Sequence, residues 1–344
     1  MEKTPLLGKT PAELKDIAAA ASLPSFTGNQ LARWLYVRHA RSIDQMTDIS
    51  KAGREKLQES CTVGLTAPLG SQISRDGTRK YLFPTGEGKA VEAVMIPEGE
   101  RKTLCVSSQQ GCKMGCKFCM TGRQGFHGNL SAAQILSQFI AIDESEGLTN
   151  AVFMGMGEPL DNWEEVKRAI DVLCAPWGFG WSPKRITLSS IGVLPKLRLF
   201  LDQSRCHLAI SLHNPFHEER LEMMPSEKAW PLEDIIGLLE QYDFSGQRRV
   251  SFEYTVFEGW NDTPRHAQAL ICLLRHLECR VNLIRFHSIP DFPLKAAPAT
   301  RMEDFRGRLE RGGLTATIRA SRGEDIMAAC GLLAGSLSKE NQPE

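Results

Sequence analysis

Short apolar runs alternate with amphipathic stretches from Leu104 onwards, and this alternation restricts the fold more than any other feature of the chain. Six of the runs have the length and composition of strands: LCVSS, AVFMGM, RITLSS, HLAISL, VSFEYTV and RVNLIRF. Stretches with helical spacing lie between them, such as NWEEVKRAIDVLC and PRHAQALICLLRHLE. Strands that alternate with helices pair in parallel. Six units are too few to close an eight-stranded barrel, so the sequence predicts an α/β fold with an open, partial (β/α)6 barrel.

The residues before this alternation have a different pattern. Residues 11–60 repeat apolar positions at helical spacing in LKDIAAAA, NQLARWLYVRHA and SKAGREKLQES. Residues 63–103 contain turn signals, which indicate a hairpin or a small sheet. The sequence therefore predicts three parts, namely a small helical N-terminal accessory domain at 1–62, connecting strands at 63–103, and the barrel with a C-terminal segment at 104–344.

Composition matters mainly for what the 10 cysteines can do. The chain has 344 residues, of which 42% are hydrophobic and 24% charged, and its formal net charge is zero. These values are typical of a globular protein and give no overall attraction to nucleic acid, although local basic clusters leave RNA binding open. The first residues lack a signal-peptide pattern and no apolar run is long enough to span a membrane, so we expect a cytoplasmic protein with no membrane partner. In a reducing compartment, clustered cysteines more often bind metal or perform chemistry than form disulfides.

Three cysteines follow the first predicted strand of the barrel at C-x3-C-x2-C spacing: Cys112, Cys116 and Cys119. Three thiolates on a short loop can bind three irons of a [4Fe–4S] cluster and leave the fourth iron without a protein ligand. That iron can chelate the amino and carboxylate groups of S-adenosylmethionine (SAM). Structural zinc is the alternative, but zinc sites usually take four ligands in C-x2-4-C pairs, and no second pair or H-x3-5-H partner follows. The spacing favours a cluster.

Polar residues end several of the later predicted strands. Because the carboxyl ends of parallel strands meet at one edge, we expect these residues to share one site with the cysteine loop. A glutamate that faces an ammonium group makes a charge-assisted hydrogen bond, whereas serines at strand ends are more often turn or cap residues. The residues in question are Gly155 to Glu158, Ser189, Ser211 to His213, and His287.

The segment CVSSQQGCKMGCKFCMTGRQGF resembles the RlmN/Cfr family of radical-SAM RNA adenine methyltransferases, in which C-x3-C-x-aromatic-C is the radical-SAM signature. The resemblance continues through most of the chain, in WLYVRHARSIDQMTDISKAGREKL, GMGEPLDN, TLSSIGVLP, LAISLH, VNLIRF and SRGEDIMAACG. It implies a partial radical-SAM barrel, a [4Fe–4S] cluster held by the three cysteines, two SAM molecules per turnover and an RNA substrate. It also implies an electron donor such as flavodoxin and a monomeric enzyme.

The resemblance assigns SAM contacts to the ends of the strands. The turn at GEP would hold the amino group of SAM, and hydroxyl and imidazole groups would bind its ribose and carboxylate. The family has an asparagine in NLIPxNP as its next SAM contact, whereas this chain has NLIRFHSIP with a histidine at that position. The implied SAM contacts are Gly157, Glu158, Ser189, Ser211, Leu212, His213 and His287.

Three further residues have catalytic roles by the same resemblance. Cys330 aligns with the methyl-carrying cysteine, Cys105 with the resolving cysteine and Glu92 with the proton acceptor. The implied route methylates Cys330 with one SAM, uses a second SAM to make a methylene radical on that sulfur, and adds the radical to an adenine carbon. A base then removes the ring proton, and Cys105 attacks the Cys330 sulfur in a transient disulfide. Without the resemblance, both cysteines would be expected to be small buried hydrophobes and Glu92 an exposed strand residue.

The resemblance implies methylation at C2 of adenosine 2503 in 23S rRNA and of adenosine 37 in tRNA. The segments GRQGF and RHARSIDQMTDISK favour RlmN-type C2 methylation over Cfr-type C8 methylation, which uses the same cysteines. Arg33, Arg38, Arg41 and Arg54 of the N-terminal region would grip folded RNA. An alternative from a different class is a non-catalytic RNA-binding protein with structural zinc.

Overall fold

The computed structural model describes residues 3–86, 88–246 and 248–335. We number its elements along the sequence. The strands are β1 Thr4–Pro5, β2 Cys61–Thr62, β3 Gly70–Ile73, β4 Arg79–Gly86, β5 Lys89–Glu98, β6 Arg101–Cys105, β7 Gln109–Gly111, β8 Phe126–Asn129, β9 Asn150–Phe153, β10 Ile186–Ser190, β11 His207–Ser211, β12 Val250–Val256, β13 Cys279–Arg285 and β14 Thr315–Arg319. The α-helices are α1 Pro11–Ala20, α2 Thr27–Tyr36, α3 Lys51–Ser60, α4 Met120–Arg123, α5 Ala132–Ile140, α6 Trp163–Cys174, α7 Leu194–Gln203, α8 His217–Met223, α9 Leu232–Leu239, α10 Pro264–Leu274 and α11 Ala299–Arg311. None of the helices in these ranges is long and apolar enough to cross a lipid bilayer.

A ten-stranded sheet forms the centre of the fold, with the neighbour order β14-β13-β12-β11-β10-β9-β6-β5-β4-β3. Strands β6 and β9 to β14 run parallel to one another, and helices connect them. Their apolar side chains are buried, as with Leu188 and Ile210, because helices cover a parallel sheet. The predicted α/β architecture is confirmed. The parallel part has one strand more than the six predicted units, since β14 joins β13.

The parallel part of the sheet curls into an open barrel. Arg319, the last residue of β14, has its Nη1 only 3.4 Å from Sδ of Met154, which directly follows β9. Four strands separate β14 from β9 in the sheet order, and neighbouring strands lie about 4.8 Å apart, so a flat sheet could not bring these side chains together. The curvature gathers the carboxyl ends of the strands around one interior.

The segment at 63–103 extends the main sheet instead of standing apart as a connecting hairpin. Strands β3, β4 and β5 pair antiparallel beyond β6, and Val94 on β5 lies opposite Cys105 on β6. The boundary predicted at residue 104 therefore falls inside β6, although the division into domains stays a prediction. Glu92 and Cys105 lie on adjacent strands as a result.

The N-terminal region consists of α1, α2 and α3 with the short parallel pair of β1 and β2. Helix α1 begins with a capping box in which Thr10 and Glu13 each accept a hydrogen bond from the other's backbone N–H. Glu13 also pairs with Arg168 of α6 at 2.7 Å, which ties this region to the barrel. Arg33, Arg38 and Arg41 are exposed, whereas Arg54 donates a hydrogen bond to the carbonyl of Ile49 at 2.6 Å. Three of the four arginines predicted to grip RNA are thus on the surface.

Candidate active site

A cavity opens at the carboxyl ends of the parallel strands, where the curled sheet leaves its interior accessible. Its wall combines side chains from the cysteine loop, the ends of β9, β10, β11 and β12, and the C-terminal segment. The site residues predicted from sequence that line it are Cys112, Cys116, Cys119, Gly157, Glu158, Ser189, Ser211, His213 and Cys330. The structure brings these residues together from positions scattered along most of the barrel.

The cysteine loop forms part of the wall of this cavity. Burial raises the pKa of the Cys112 thiol to about 12 and also raises the pKa values of Cys116 and Cys119. Within the described ranges, no three His, Cys, Asp or Glu side chains converge on a point where they could bind a single metal ion. The thiolates of a [4Fe–4S] cluster bind three different irons and need not converge in this way. The loop therefore fits such a cluster, whose positive irons would stabilise the three thiolates.

Gly157 and Glu158 form a tight turn after β9. Gly157 has φ +98°, and a Cβ atom there would lie 2.4 Å from Cβ of Gln109, so no other residue fits without rearrangement. The Glu158 carboxylate accepts hydrogen bonds from the N–H groups of Leu160 and Ile191, both at 3.0 Å. Burial raises its pKa to about 7. A buried carboxylate at the cavity wall is suited to bind a cationic group, which would favour its ionised form.

Ser189 and Ser211 end their strands and face the cavity, and His213 lies just beyond β11. Nδ1 of His213 accepts a hydrogen bond from the N–H of Thr255 at 3.0 Å. Burial lowers the pKa of His213 to about 3, so the ring is neutral and its Nε2 carries the proton. His213 can therefore donate one hydrogen bond. The side chain of Leu212 is buried and does not line the cavity.

Arg220 of α8 holds the end of β11, which carries Ser211 and leads to His213, and no sequence pattern indicated this role. Its Nε donates to the carbonyl of Leu212 and its Nη2 to the carbonyl of Ser211, both at 3.0 Å. Its charge is balanced by Glu227, and both side chains are buried. In HEERLEM, an arginine at this position is typical of an exposed helical face, so its burial depends on packing that the pattern does not encode.

Cys330 lies beside the cysteine loop, since the N–H of Met120 donates to the carbonyl of Gly331 at 2.9 Å, and it is near enough to Cys105 to affect the pKa of that thiol. Cys330 is exposed and lines the cavity, whereas Cys105 is buried at the end of β6. Burial raises the pKa of Cys105 to about 12, the neighbouring Cys330 raises it further, and the guanidinium of Arg319 acts in the opposite direction. All 10 cysteines are free thiols, so no disulfide joins Cys105 to Cys330 in this state.

Glu92 and His287 do not line the cavity. Glu92 is buried on β5, not exposed as a strand glutamate ordinarily would be, and its carboxylate lies 3.0 Å from Nζ of Lys80. His287 is buried after β13, with Nε2 3.1 Å from Oγ of Ser321. The preceding residues Arg285 and Phe286 line the cavity in its place.

Two charged residues that the sequence analysis did not single out form the floor of the cavity. Glu253 of β12 and Arg319 of β14 make an ion pair at 3.2 Å, and Asn282 donates to Glu253 at 2.7 Å. Each stands in an otherwise mostly apolar strand, VSFEYTV and TATIRA. A single charge in such a strand is a signal for a functional or paired residue, and it could have identified both.

Comparisons with protein families agree with this arrangement. Residues 106–269 match the model of the Radical SAM superfamily. Residues 4–63 match the model described as the ribosomal RNA large subunit methyltransferase N-terminal domain. The first match contains the cysteine loop and most of the parallel strands, and the second contains the N-terminal helices.

Individual proteins are similar to the chain over nearly its whole length. A probable dual-specificity RNA methyltransferase RlmN from Porphyromonas gingivalis is 57% identical over 341 residues, which cover 99% of this chain and 97% of the relative. The protein of the same name from Parabacteroides distasonis is 54% identical and covers 97% of both chains. A solved structure of a radical SAM methyltransferase from Sphaerobacter thermophilus is 36% identical with a TM-score of 0.92, and covers 97% of this chain and 100% of that one.

Proposed function

The chain belongs to the RlmN family of dual-specificity radical SAM RNA methyltransferases, and from that premise we propose that it methylates C2 of adenosine 2503 in 23S rRNA and of adenosine 37 in tRNA. Membership of this family entails a [4Fe–4S] cluster, SAM and an RNA substrate. The observation that carries the proposal is that exposed Cys330 lines the same cavity as the cysteine loop and lies near enough to buried Cys105 to affect the pKa of that thiol.

Different residues around the cavity would bind the two cofactors. Cys112, Cys116 and Cys119 would hold the cluster, and Glu158 would bind the amino group of SAM. When bound, the cluster supplies the electron that cleaves SAM, and SAM supplies both the methyl group and the fragment that removes hydrogen. We propose that two SAM molecules are used per turnover, one for each of these purposes.

Cys330 is proposed to carry the methyl group. The C2 carbon of adenine is electron-poor and does not attack the methyl group of SAM directly, so an intermediate carrier is required. Cys330 is exposed and lines the cavity that Glu158 also lines. Its sulfur can therefore meet SAM first and an unstacked adenine later.

Cys105 is proposed to release the product by attacking the sulfur of Cys330. Its raised pKa keeps the thiol protonated, and its burial shields it, so SAM would methylate Cys330 and not Cys105. When Cys105 attacks, its thiol gives up a proton, a bond forms between the two sulfurs, and the bond from Cys330 sulfur to the methylene carbon breaks. The electron pair of that bond goes to the carbon, which takes up a proton and so becomes the methyl group. The resulting disulfide is transient and must be reduced before the next turnover.

The choice of C2 over C8 is supported by relatives that are named RlmN and that match the chain over nearly its full length. A Cfr-type enzyme that methylates C8 is the second candidate, because it would use the same cysteines. We propose in addition that the enzyme is a cytoplasmic monomer that receives electrons from a donor such as flavodoxin. Glu92 is proposed as the proton acceptor, and His287 as a SAM contact only if the segment after β13 rearranges.

A trapping experiment tests the division of labour between the two cysteines. Cys105→Ala should accumulate a covalent RNA adduct through Cys330, seen as a nuclease-sensitive shift on a denaturing gel. Cys330→Ala and the double variant should give no adduct, and Cys272→Ala, which alters an exposed cysteine outside the site, should behave as wild type. Absence of the adduct in Cys105→Ala would refute these roles. Mass spectrometry of rRNA and tRNA nucleosides then distinguishes C2 from C8.

A further inference from the structure

The carboxylate of Glu92 holds the backbone that follows Cys330. One oxygen, Oε2, accepts hydrogen bonds from the N–H of Ala334 at 2.8 Å and from the N–H of Gly335 at 3.2 Å. The other, Oε1, lies 3.0 Å from Nζ of Lys80 on β4. Glu92 is only 3% exposed, so these bonds form away from water, where charge-assisted hydrogen bonds are strong. The carboxylate is occupied on both oxygens.

The cysteine loop holds the same segment from its other side. The N–H of Met120 donates to the carbonyl of Gly331 at 2.9 Å, and Nε2 of Gln124 donates to the carbonyl of Ala334 at 2.6 Å. Both donors belong to the stretch that begins directly after the cluster ligand Cys119. Residues 331–335 are therefore fixed between β5 and α4.

Gly335 fits this place closely. Its φ is +61°, and a Cβ atom there would lie 2.2 Å from the carbonyl oxygen of Ala90 on β5. Leu332 and Leu333 are buried next to it, whereas Cys330 is exposed. The segment is thus anchored by its backbone and by two leucines, and Cys330 projects from the anchored part.

We propose that Glu92 and Lys80 are positioning residues for Cys330, forming a dock that holds residues 331–335 and so keeps the Cys330 sulfur beside Cys105 and the cavity. The inference rests on the proposed function for the role of Cys330. Lys80 supplies the positive charge that pairs with the buried Glu92 carboxylate and holds it where Oε2 accepts both N–H groups. While the segment is docked, Oε2 of Glu92 is occupied by two N–H groups and Glu92 does not line the cavity, so proton acceptance by Glu92 would require residues 331–335 to move.

Lys80→Met and Lys80→Arg form a matched pair that tests the dock in the cluster-loaded enzyme without RNA or SAM. Hydrogen exchange of the amides of Ala334 and Gly335 should be about tenfold faster in Lys80→Met, because a buried hydrogen bond to a charged acceptor is lost or weakened. Lys80→Arg keeps the charge and should retain protection. Amides of β12 and β13 should be unaffected, which separates a local opening from general destabilisation.

The rate at which Cys330 forms a disulfide with Cys105 measures whether Cys330 keeps its position. Diamide, a two-electron oxidant of thiols, joins the two sulfurs and takes up the two hydrogens, and peptide mapping quantifies the product. We expect the Cys105–Cys330 disulfide to form about tenfold more slowly in Lys80→Met and in Gly335→Ala. Lys89→Met, at the exposed start of β5, is the control and should match wild type.

Two results would overturn the proposal: unchanged exchange and cross-linking in both Lys80→Met and Gly335→Ala, or an equal loss of protection in Lys80→Arg and Lys80→Met. Neither measurement depends on methyl transfer. An enzyme that shows the dock but makes no methyladenosine would refute the proposed function and leave the dock intact.

Discussion

Arg319 and Glu253 form an ion pair at 3.2 Å that divides the interior of the barrel into two parts. Both side chains line the candidate active site and also a second, polar cavity at the amino ends of the strands. Glu253 is almost completely buried, whereas Arg319 is about one-third exposed. The pair therefore closes the active site from behind, on the side opposite its entrance.

Removal of one member of this pair should destabilise the protein. Arg319→Gln leaves the buried Glu253 without its counter-charge, and we expect a loss of about 2 kcal/mol in the free energy of unfolding, discounted for the partial exposure of Arg319. Adding Glu253→Gln should recover part of this loss, since no uncompensated charge remains. Urea unfolding of the two single variants and the double variant measures the coupling. Strictly additive effects would mean that the ion pair does not stabilise the fold.

The cysteine loop should lose its cluster when any one ligand is removed. Cys112→Ala, Cys116→Ala and Cys119→Ala should each lose the brown colour and the cleavage of SAM, because every thiolate binds a separate iron. Iron and acid-labile sulfide are measured on anaerobically prepared protein. Cys279→Ala, outside the loop, should retain both. Stoichiometric iron and sulfide in the triple variant would contradict the assignment of ligands.

Glu158→Gln should weaken SAM binding and leave the cluster in place. The amide keeps the shape of the side chain but loses the charge that we propose binds the ammonium group of SAM, so we expect the Kd of SAM to rise roughly tenfold or more. Isothermal titration in parallel with iron analysis separates the two effects. Glu164→Gln, a change on an exposed glutamate of α6, serves as the control. Equal SAM affinity in Glu158→Gln and wild type would reduce Glu158 to a turn residue.

Cys105 should react with alkylating agents only at high pH. A thiol with a pKa of about 12 is about one part in ten thousand thiolate at pH 8, compared with about one part in ten for an ordinary thiol of pKa 9. The labelling rate of Cys105 should therefore rise about tenfold per pH unit up to about pH 12, and at pH 8 it should be far below the rate of exposed Cys272. Arg319→Gln removes a cation that lowers this pKa, so Cys105 should become still less reactive. Labelling of Cys105 as fast as Cys272 at pH 8 would contradict this assignment.

Six of the parallel strands could be predicted because each reads as a short, mostly apolar run between stretches of helical spacing. The attachment of β3, β4 and β5 to β6 could not, since strand pairing is decided by contacts between distant residues and not by the local pattern. For the same reason Val94 and Cys105 gave no sign that they lie opposite each other.

In the candidate site, too, some residues could be predicted from the sequence and others could not. Glu158, Ser189 and Ser211 were expected near one another because parallel strands end at one edge, and this geometric rule needs no knowledge of side-chain packing. The dock at Glu92 depends on a backbone segment that arrives from the far end of the chain, so no local pattern indicates it. Arg220 was missed because a helical pattern does not tell which polar residue is buried.

Several hydrogen bonds attach the segment that carries Cys330 to residues that lie far earlier in the chain. Asp325 bonds Ser74 across 251 positions, Gly323 bonds Asp76 across 247, and Ala334 bonds Glu92 across 242. Contacts of such separation form late in folding, because long loops must close before they contribute. During synthesis, the nascent chain can form the loop that ends at Cys119 while Cys330 has not yet been translated. A chain that ended before this segment would contain the cysteine loop and lack both the contacts that hold residues 331–335 and the sulfur that we propose receives the methyl group.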